Sequence, residues 1–121
     1  MAGGNHNTDG AQAELLAAEY LQSQGLRMIG QNFRVRGGEI DLICQDGGTM
    51  VFVEVRLRRA SRFGGALESI TFHKRQRIVI AARHYLARQR RDWQCRFDCI
   101  LLDDLSRSSI EWIKDAFAPG D

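Results

Sequence analysis

Several features that would place a chain quickly are missing from these 121 residues. No stretch approaches the ~18 consecutive apolar residues that a membrane span requires. The first nine residues, MAGGNHNTD, hold no apolar run, so they read as a loose tail and neither a signal peptide nor an anchor. Cysteine is scarce: Cys44, Cys95 and Cys99 are odd in number and form no CxxC pair, which argues against a disulfide framework and against a zinc site. The same usage fits a cytoplasmic protein. Cys44 and Cys99 lie in apolar runs and read as small buried hydrophobes. His6, His73 and His84 have no partner at metal-ligand spacing. Internal repeats are absent, and the length suits one domain around a single modest core, residues 10–117, with a frayed end at 118–121.

Acids are missing where bases are dense. Residues 56–91 hold eleven Lys or Arg and only one acid, Glu68, a net charge of +10, whereas the rest of the chain carries six bases against fourteen acids, a net of −8. The overall +2 therefore conceals a strongly polarised molecule. A basic segment of this kind attracts a polyanion, with nucleic acid the leading candidate because phosphate contacts supply most non-specific affinity. A solvated helix face is the plain alternative for a charge run.

Directly before that segment stands GEIDLICQDGGTMVFVEVR, residues 38–56. Ile40, Leu42 and Ile43, then Val51, Phe52, Val53 and Val55, make two short strands rich in β-branched and aromatic side chains. Gln45 to Thr49 is the turn between them, since Asp46-Gly47-Gly48 supplies permissive backbone. Side chains alternate along a strand, so Glu39 shares a face with Asp41, and Glu54 with Arg56. Pairing the strands across the turn would bring three carboxylates and a guanidinium to one patch. Crowded carboxylates are costly unless neutralised, and hard oxygen donors suit Mg²⁺ or Mn²⁺. The alternative is a solvated sheet face balanced by arginines.

GEIDLI, the turn, VFVEVR and Arg58 resemble the signature of the YraN-like family of predicted endonucleases, relatives of the archaeal Holliday junction resolvases in the PD-(D/E)XK nuclease superfamily. The resemblance extends through Gly10, Glu14, Gly25, Asn32, Phe63-Gly64, Lys74, Arg96-Phe97-Asp98 and Ala116-Phe117, nearly the whole chain. It implies that Asp41 is the acid of the superfamily's first motif and Glu54 that of the second. Arg56 stands where the second motif has lysine. Arginine stays protonated and takes no proton, but it can hold a phosphate oxygen or offset transition-state charge. Glu14 corresponds to the first-helix glutamate that joins the site in the resolvases; from the residues alone a solvated acid in a first helical turn fits as well. Lys74 matches a lysine of the family's pattern.

The remaining elements follow from periodicity. Residues 10–24 form a helix with a stripe of Leu15, Ala18 and Leu21, ending at Gly25. Residues 28–36 form an edge strand. A basic loop spans Ser61 to Gly65, and a second helix begins at the N-cap Thr71 with Ile78, Ala81, Ala82 and Tyr85 inward. Strands follow at Arg96 to Leu102 and at Ser109 to Ile113, with Arg96 and Asp98 as mutual partners. The expected fold is α/β, of order αβββαββ: a restriction-endonuclease-like mixed sheet flanked by helices, as the resemblance implies. The expected activity is Mg²⁺- or Mn²⁺-dependent hydrolysis of DNA phosphodiester bonds, with branched DNA suggested by the resolvase relatives and a homodimer by the two-fold symmetry of junctions. Asp41, Glu54 and Glu14 would hold the ion, with Glu39 nearby. Arg56 and Lys74 would orient the scissile phosphate, and Arg58, Arg59, Arg62 and Arg75 would bind flanking ones. The alternative is a DNA-binding module that keeps the nuclease fold without cleaving.

Overall fold

The computed structural model describes residues 8–58 and 70–121. Helix α1 runs over Thr8–Ser23, starting two residues before the expected position. It ends in a Schellman motif: Gly25 takes φ +97°, Gly25 N–H donates to Gln22 O at 3.0 Å and Leu26 N–H to Leu21 O at 3.0 Å. Strands β1 (Arg27–Val35), β2 (Gly38–Asp46) and β3 (Thr49–Leu57) form an antiparallel meander. Its two turns carry Gly37 at φ +86° and Gly47 at φ +59°, conformations that glycine adopts without steric cost. Helix α2 (Phe72–Ala87) is capped as the sequence predicts, Lys74 N–H donating to Thr71 Oγ1 at 3.1 Å.

Strand β4 (Gln94–Leu102) pairs parallel with β3, and β5 (Glu111–Phe117) antiparallel with β4. One mixed sheet of order β1-β2-β3-β4-β5 results, with β1 on the edge as expected. The parallel pair requires a long crossover, and α2 lies within it.

The sheet has an apolar cluster on each face. Ile40, Ile43, Met50, Phe52 and Phe97 pack with Ile78, Val79, Ala81 and Ala82 of α2. Leu42, Cys44, Val51, Val53, Ile100 and Leu102 pack with Ala13, Ala17 and Leu21 of α1. Burial of each large aliphatic side chain contributes roughly 1.5–3 kcal/mol. The stripe expected on α1 holds at Leu21 and at the half-buried Ala18 and is corrected at Leu15. Leu15 is 58% exposed, and two alanines with Leu21 make the contact, because small residues let the helix approach the sheet closely.

Strand β5 continues past the expected end at Ile113 to Phe117 through a bulge opposite Phe97 to Cys99. Asp98, fully buried, organises that bulge. It accepts from Arg96 Nε at 3.0 Å, from Trp112 Nε1 at 3.0 Å and from the main-chain N–H of Asp115 at 2.9 Å, where Asp115 takes φ +54°. Arg96 also bridges to Asp46 at 3.0 Å. The expected Arg96–Asp98 pair is thus part of a larger network that runs from Asp98 towards the surface and satisfies the carboxylate that burial would otherwise penalise.

Candidate active site

Strict alternation puts Ile40 and Leu42 on one face of β2, yet they belong to opposite clusters. The break falls at Asp41. The β2–β3 pairing runs from Asp46↔Thr49 to Leu42↔Val53 and stops there. Beyond it the Asp41 side chain replaces the missing rung, its Oδ2 accepting from Val55 N–H at 2.8 Å. The two strands therefore part where their acids stand, and the gap admits Glu54 beside Asp41.

The two carboxyl groups stand close enough for each to act on the other's ionisation. Glu54 is only 4% exposed, and burial first, then the neighbouring Asp41 charge, push its pKa up to about 7. Burial also raises Asp41, although the Val55 N–H opposes the shift. Near neutral pH Glu54 is therefore held close to the midpoint of its titration, beside a carboxyl that is also raised. Lys74, from the first turn of α2, places Nζ 3.1 Å from Glu54 Oε2, and Arg56 NH1 lies 3.9 Å from the same oxygen. Lys74 stands four residues before the buried Ile78, on the core-facing side of α2, and the helix delivers it to the acid.

Glu39 and Arg77 extend the site. Arg77 NH2 meets Glu39 Oε1 at 3.2 Å, and both line a cleft of about 360 Å³ with Glu54, Thr71, His73 and Lys74. Thr71, His73 and Arg77 were not expected there; the start of α2 brings them in, and the only prior signal was their position around the N-cap. Glu14 approaches from α1. It is partly buried and close enough to Asp41 and Glu39 for their charges to raise its pKa together with burial, which is the largest cause, while a hydrogen bond with Asn32 opposes the rise.

The flanking bases are distributed differently. Arg58 is engaged by Asp103 through Nε and by Glu111 through NH2 at 3.3 Å. Arg75 donates NH1 to Ile70 O at 2.7 Å and lies against the Phe72 ring. Arg59, Arg62 and the loop at 61–65 lie outside the described residues. Among the described residues no three His, Cys, Asp or Glu side chains are gathered tightly enough to hold an ion alone. The donor set still fits Mg²⁺ or Mn²⁺: Mg²⁺ is commonly held by one or two carboxylates, with water and substrate phosphate completing the shell. Crowded carboxyls whose ionisation is opposed by burial are the groups such a cation would relieve.

A five-stranded mixed sheet between two helices, with paired acids where two strands part, defines a small α/β protein of restriction-endonuclease-like architecture. The chain belongs to the uncharacterised protein family UPF0102, whose family model matches residues 13–102. It is 56% identical over 112 residues to a UPF0102 protein of Dechloromonas aromatica, covering 93% of this chain and 90% of that protein. It is 50% identical over 108 residues to UPF0102 protein NE0719 of Nitrosomonas europaea, covering 89% and 92%. A UPF0102 protein of Nitrosococcus oceani is 45% identical over 120 residues, with 97% of each chain covered. No helix among the described residues is long and apolar enough to cross a membrane.

Proposed function

We propose that this protein is a metal-dependent endonuclease that hydrolyses DNA phosphodiester bonds at the Asp41–Glu54 pair, in the cytoplasm. The observation that carries the reading is the meeting of the buried Glu54 carboxyl and the half-buried Asp41 at an opened rung of the sheet, with the Lys74 ammonium 3.1 Å from Glu54. A structural ion pair does not require the β2–β3 ladder to open, and a solvated sheet face does not bury its acids. Asp41 and Glu54 would hold Mg²⁺ or Mn²⁺, with Glu14 on the α1 side. The chemistry that the ion supplies when bound is activation of water and stabilisation of charge on the phosphate. Both carboxyls would have to be deprotonated to hold it.

The chain's own residues would do the rest. Val55 N–H fixes Asp41 in one orientation. Lys74 would exchange Glu54 for a phosphate oxygen, and Arg56 would offset developing charge without accepting a proton. The bases of residues 56–91 would carry the flanking backbone, and Arg58 would contribute by exchanging Asp103 for phosphate. Branched DNA is the proposed substrate class, and its two-fold junctions imply a homodimer.

The test uses labelled single-stranded, duplex, flapped and four-way-junction DNA with Mg²⁺, Mn²⁺ or EDTA, beside Asp41→Ala. Cleavage that needs the metal and vanishes in the variant is the expected result. Binding without cleavage in every metal would instead make the protein a DNA-binding module, a reading that Arg56 in the lysine position favours.

A further inference from the structure

Two cations that α2 places in the cleft wall are each met by an acid of the sheet. Lys74 Nζ stands 3.1 Å from Glu54 Oε2, and one helical turn further Arg77 NH2 stands 3.2 Å from Glu39 Oε1. The second pair differs from the first in the exposure of its acid. The Glu39 side chain is 46% exposed and Arg77 38%, whereas Glu54 is buried. Among the described residues Arg77 donates through NH2 alone, so a guanidinium able to grip an oxyanion with two parallel N–H groups is only half used. The main chain behind it has no such freedom. A Cβ on Gly38 would overlap the Arg77 carbonyl oxygen and stand 2.8 Å from Ala81 N, so β2 and α2 touch backbone to backbone there. Ile78, Val79, Ala81 and Ala82 bury the rest of that contact.

An ion pair this exposed adds little to stability, and the helix is fixed without it. What the pair does is hold a guanidinium at the cleft wall against a carboxylate, the same planar pair of oxygens that a phosphate presents. We propose that Arg77 binds the phosphate next to the scissile one and that Glu39 is its positioning residue, occupying Arg77 in the free protein and yielding it when DNA enters. Residues 74 and 77 are neighbours on the helix surface, about 4.5 Å apart along its axis, and phosphates recur about every 3.4 Å of axis on each DNA strand. The two cations therefore suit two consecutive phosphates of one strand. Once displaced, the half-exposed Glu39 carboxylate meets water, so the exchange leaves no buried charge unpaired. The assignment rests on the nuclease reading above, which gives the scissile phosphate to Lys74.

Binding of fluorescein-labelled duplex and four-way-junction DNA to the full chain in EDTA, followed by anisotropy between about 50 and 200 mM salt, tests it without cleavage. Arg77→Met should bind about tenfold more weakly, with a log–log salt slope shallower by about one, as the loss of one phosphate contact requires. Glu39→Gln should bind about three- to fivefold more tightly, because the phosphate no longer competes with a half-exposed ion pair. In the Arg77→Met background the same change should alter affinity less than about 1.5-fold. Binding by Arg77→Met within about twofold of the native chain, or with an unchanged salt slope, overturns the assignment. Equal tightening by Glu39→Gln in both backgrounds also overturns it, since Glu39 would then only repel DNA, and so does weaker binding by Glu39→Gln. Cleavage in Mg²⁺ by the same preparations separates the two readings. Native cleavage that Asp41→Ala abolishes, beside an indifferent Arg77→Met, refutes this assignment and leaves the nuclease reading standing. The expected binding pattern without any cleavage refutes the nuclease reading and keeps Arg77 as a phosphate contact. A native chain that binds neither DNA overturns both. If Arg77→Met does not fold, the Arg77 Nε–H NMR signal of the native chain carries the test: it shifts on addition of DNA and in Glu39→Gln under the proposal, and a signal indifferent to DNA refutes it.

Discussion

Gly38, the first residue of β2, sets how closely α2 lies on the sheet, and Gly38→Ala measures the consequence. A methyl group there would overlap the Arg77 carbonyl oxygen, stand 2.8 Å from Ala81 N and 3.2 Å from Ala81 Cβ. The first two obstacles are helix backbone, which has no rotamer to change, so α2 must recede by at least about half an ångström to restore ordinary contact. Overpacking of a well-filled interior costs about 1–3 kcal/mol, and backbone obstacles put this case near the upper end. Replacing glycine returns about 0.5–1 kcal/mol through the unfolded chain, for a net loss of about 2 kcal/mol. Equilibrium unfolding in urea should show it as a lower midpoint with an unchanged slope. Gly30→Ala is the control, since nothing lies within 4 Å of its added carbon and its backbone is not left-handed. Stability of Gly38→Ala within about 0.5 kcal/mol of Gly30→Ala would refute the argument. Because the helix that recedes also carries Lys74, cleavage should fall by more than the unfolded fraction explains.

Glu54 should make stability pH-dependent. Its folded pKa of about 7 lies above the ordinary 4.5, so the native state holds the proton more tightly and stability at this site falls as pH rises from 4.5 to 7. In EDTA, Glu54→Gln should therefore exceed the native chain at pH 8 by up to about 3 kcal/mol and lose that advantage at pH 4; a difference independent of pH in thermal unfolding would count against it. Lys74→Met should lower cleavage about 100-fold with little change in DNA affinity, read from single-turnover kinetics and a binding titration. Asp98→Ala leaves Arg96 and Trp112 Nε1 without their buried acceptor and should cost about 3–5 kcal/mol in urea unfolding. Cys44 and Cys99 are buried, with burial pushing both thiols up to about 12, whereas Cys95 is exposed. Alkylation of the native protein at pH 7 should thus label Cys95 alone, as mass spectrometry of peptides would show.

What the residues reveal in advance depends on whether local chemistry decides. The β2 and β3 strands, their Gly-rich turn, the Thr71 cap and the Ile78–Ala82 face were all legible, because propensity, capping and burial point the same way there. Leu15 misled because hydrophobicity ranks leucine above alanine, whereas close helix–sheet approach selects Ala13 and Ala17. The end of β5 was hidden by Lys114 and Asp115, whose polar character disguises a bulge stabilised from Asp98 across the sheet. At the site, the acids could be named from their apolar surroundings and from the family pattern. Their geometry could not, since alternation along β2 fails at Asp41. A backbone mark of that failure lies on β1, where Asn32 takes φ +53° between Gln31, which pairs with Leu42, and Phe33, which pairs with Ile40.

The parallel pairing of β3 with β4 bears on how the molecule is made. Thr49 pairs with Gln94 and Leu57 with Leu102, contacts that can form only after the whole intervening crossover has been synthesised. The β1–β3 meander closes through short local turns, on a timescale of about microseconds, whereas the distant pairing must first overcome the entropy of a long loop. On a ribosome the acidic half of the site thus emerges and can pair first, and the α2 lysine comes later. Docking of β4 should be the slow step of folding, and until it occurs the carboxylates stand on a three-stranded ribbon that has no partner beyond β3.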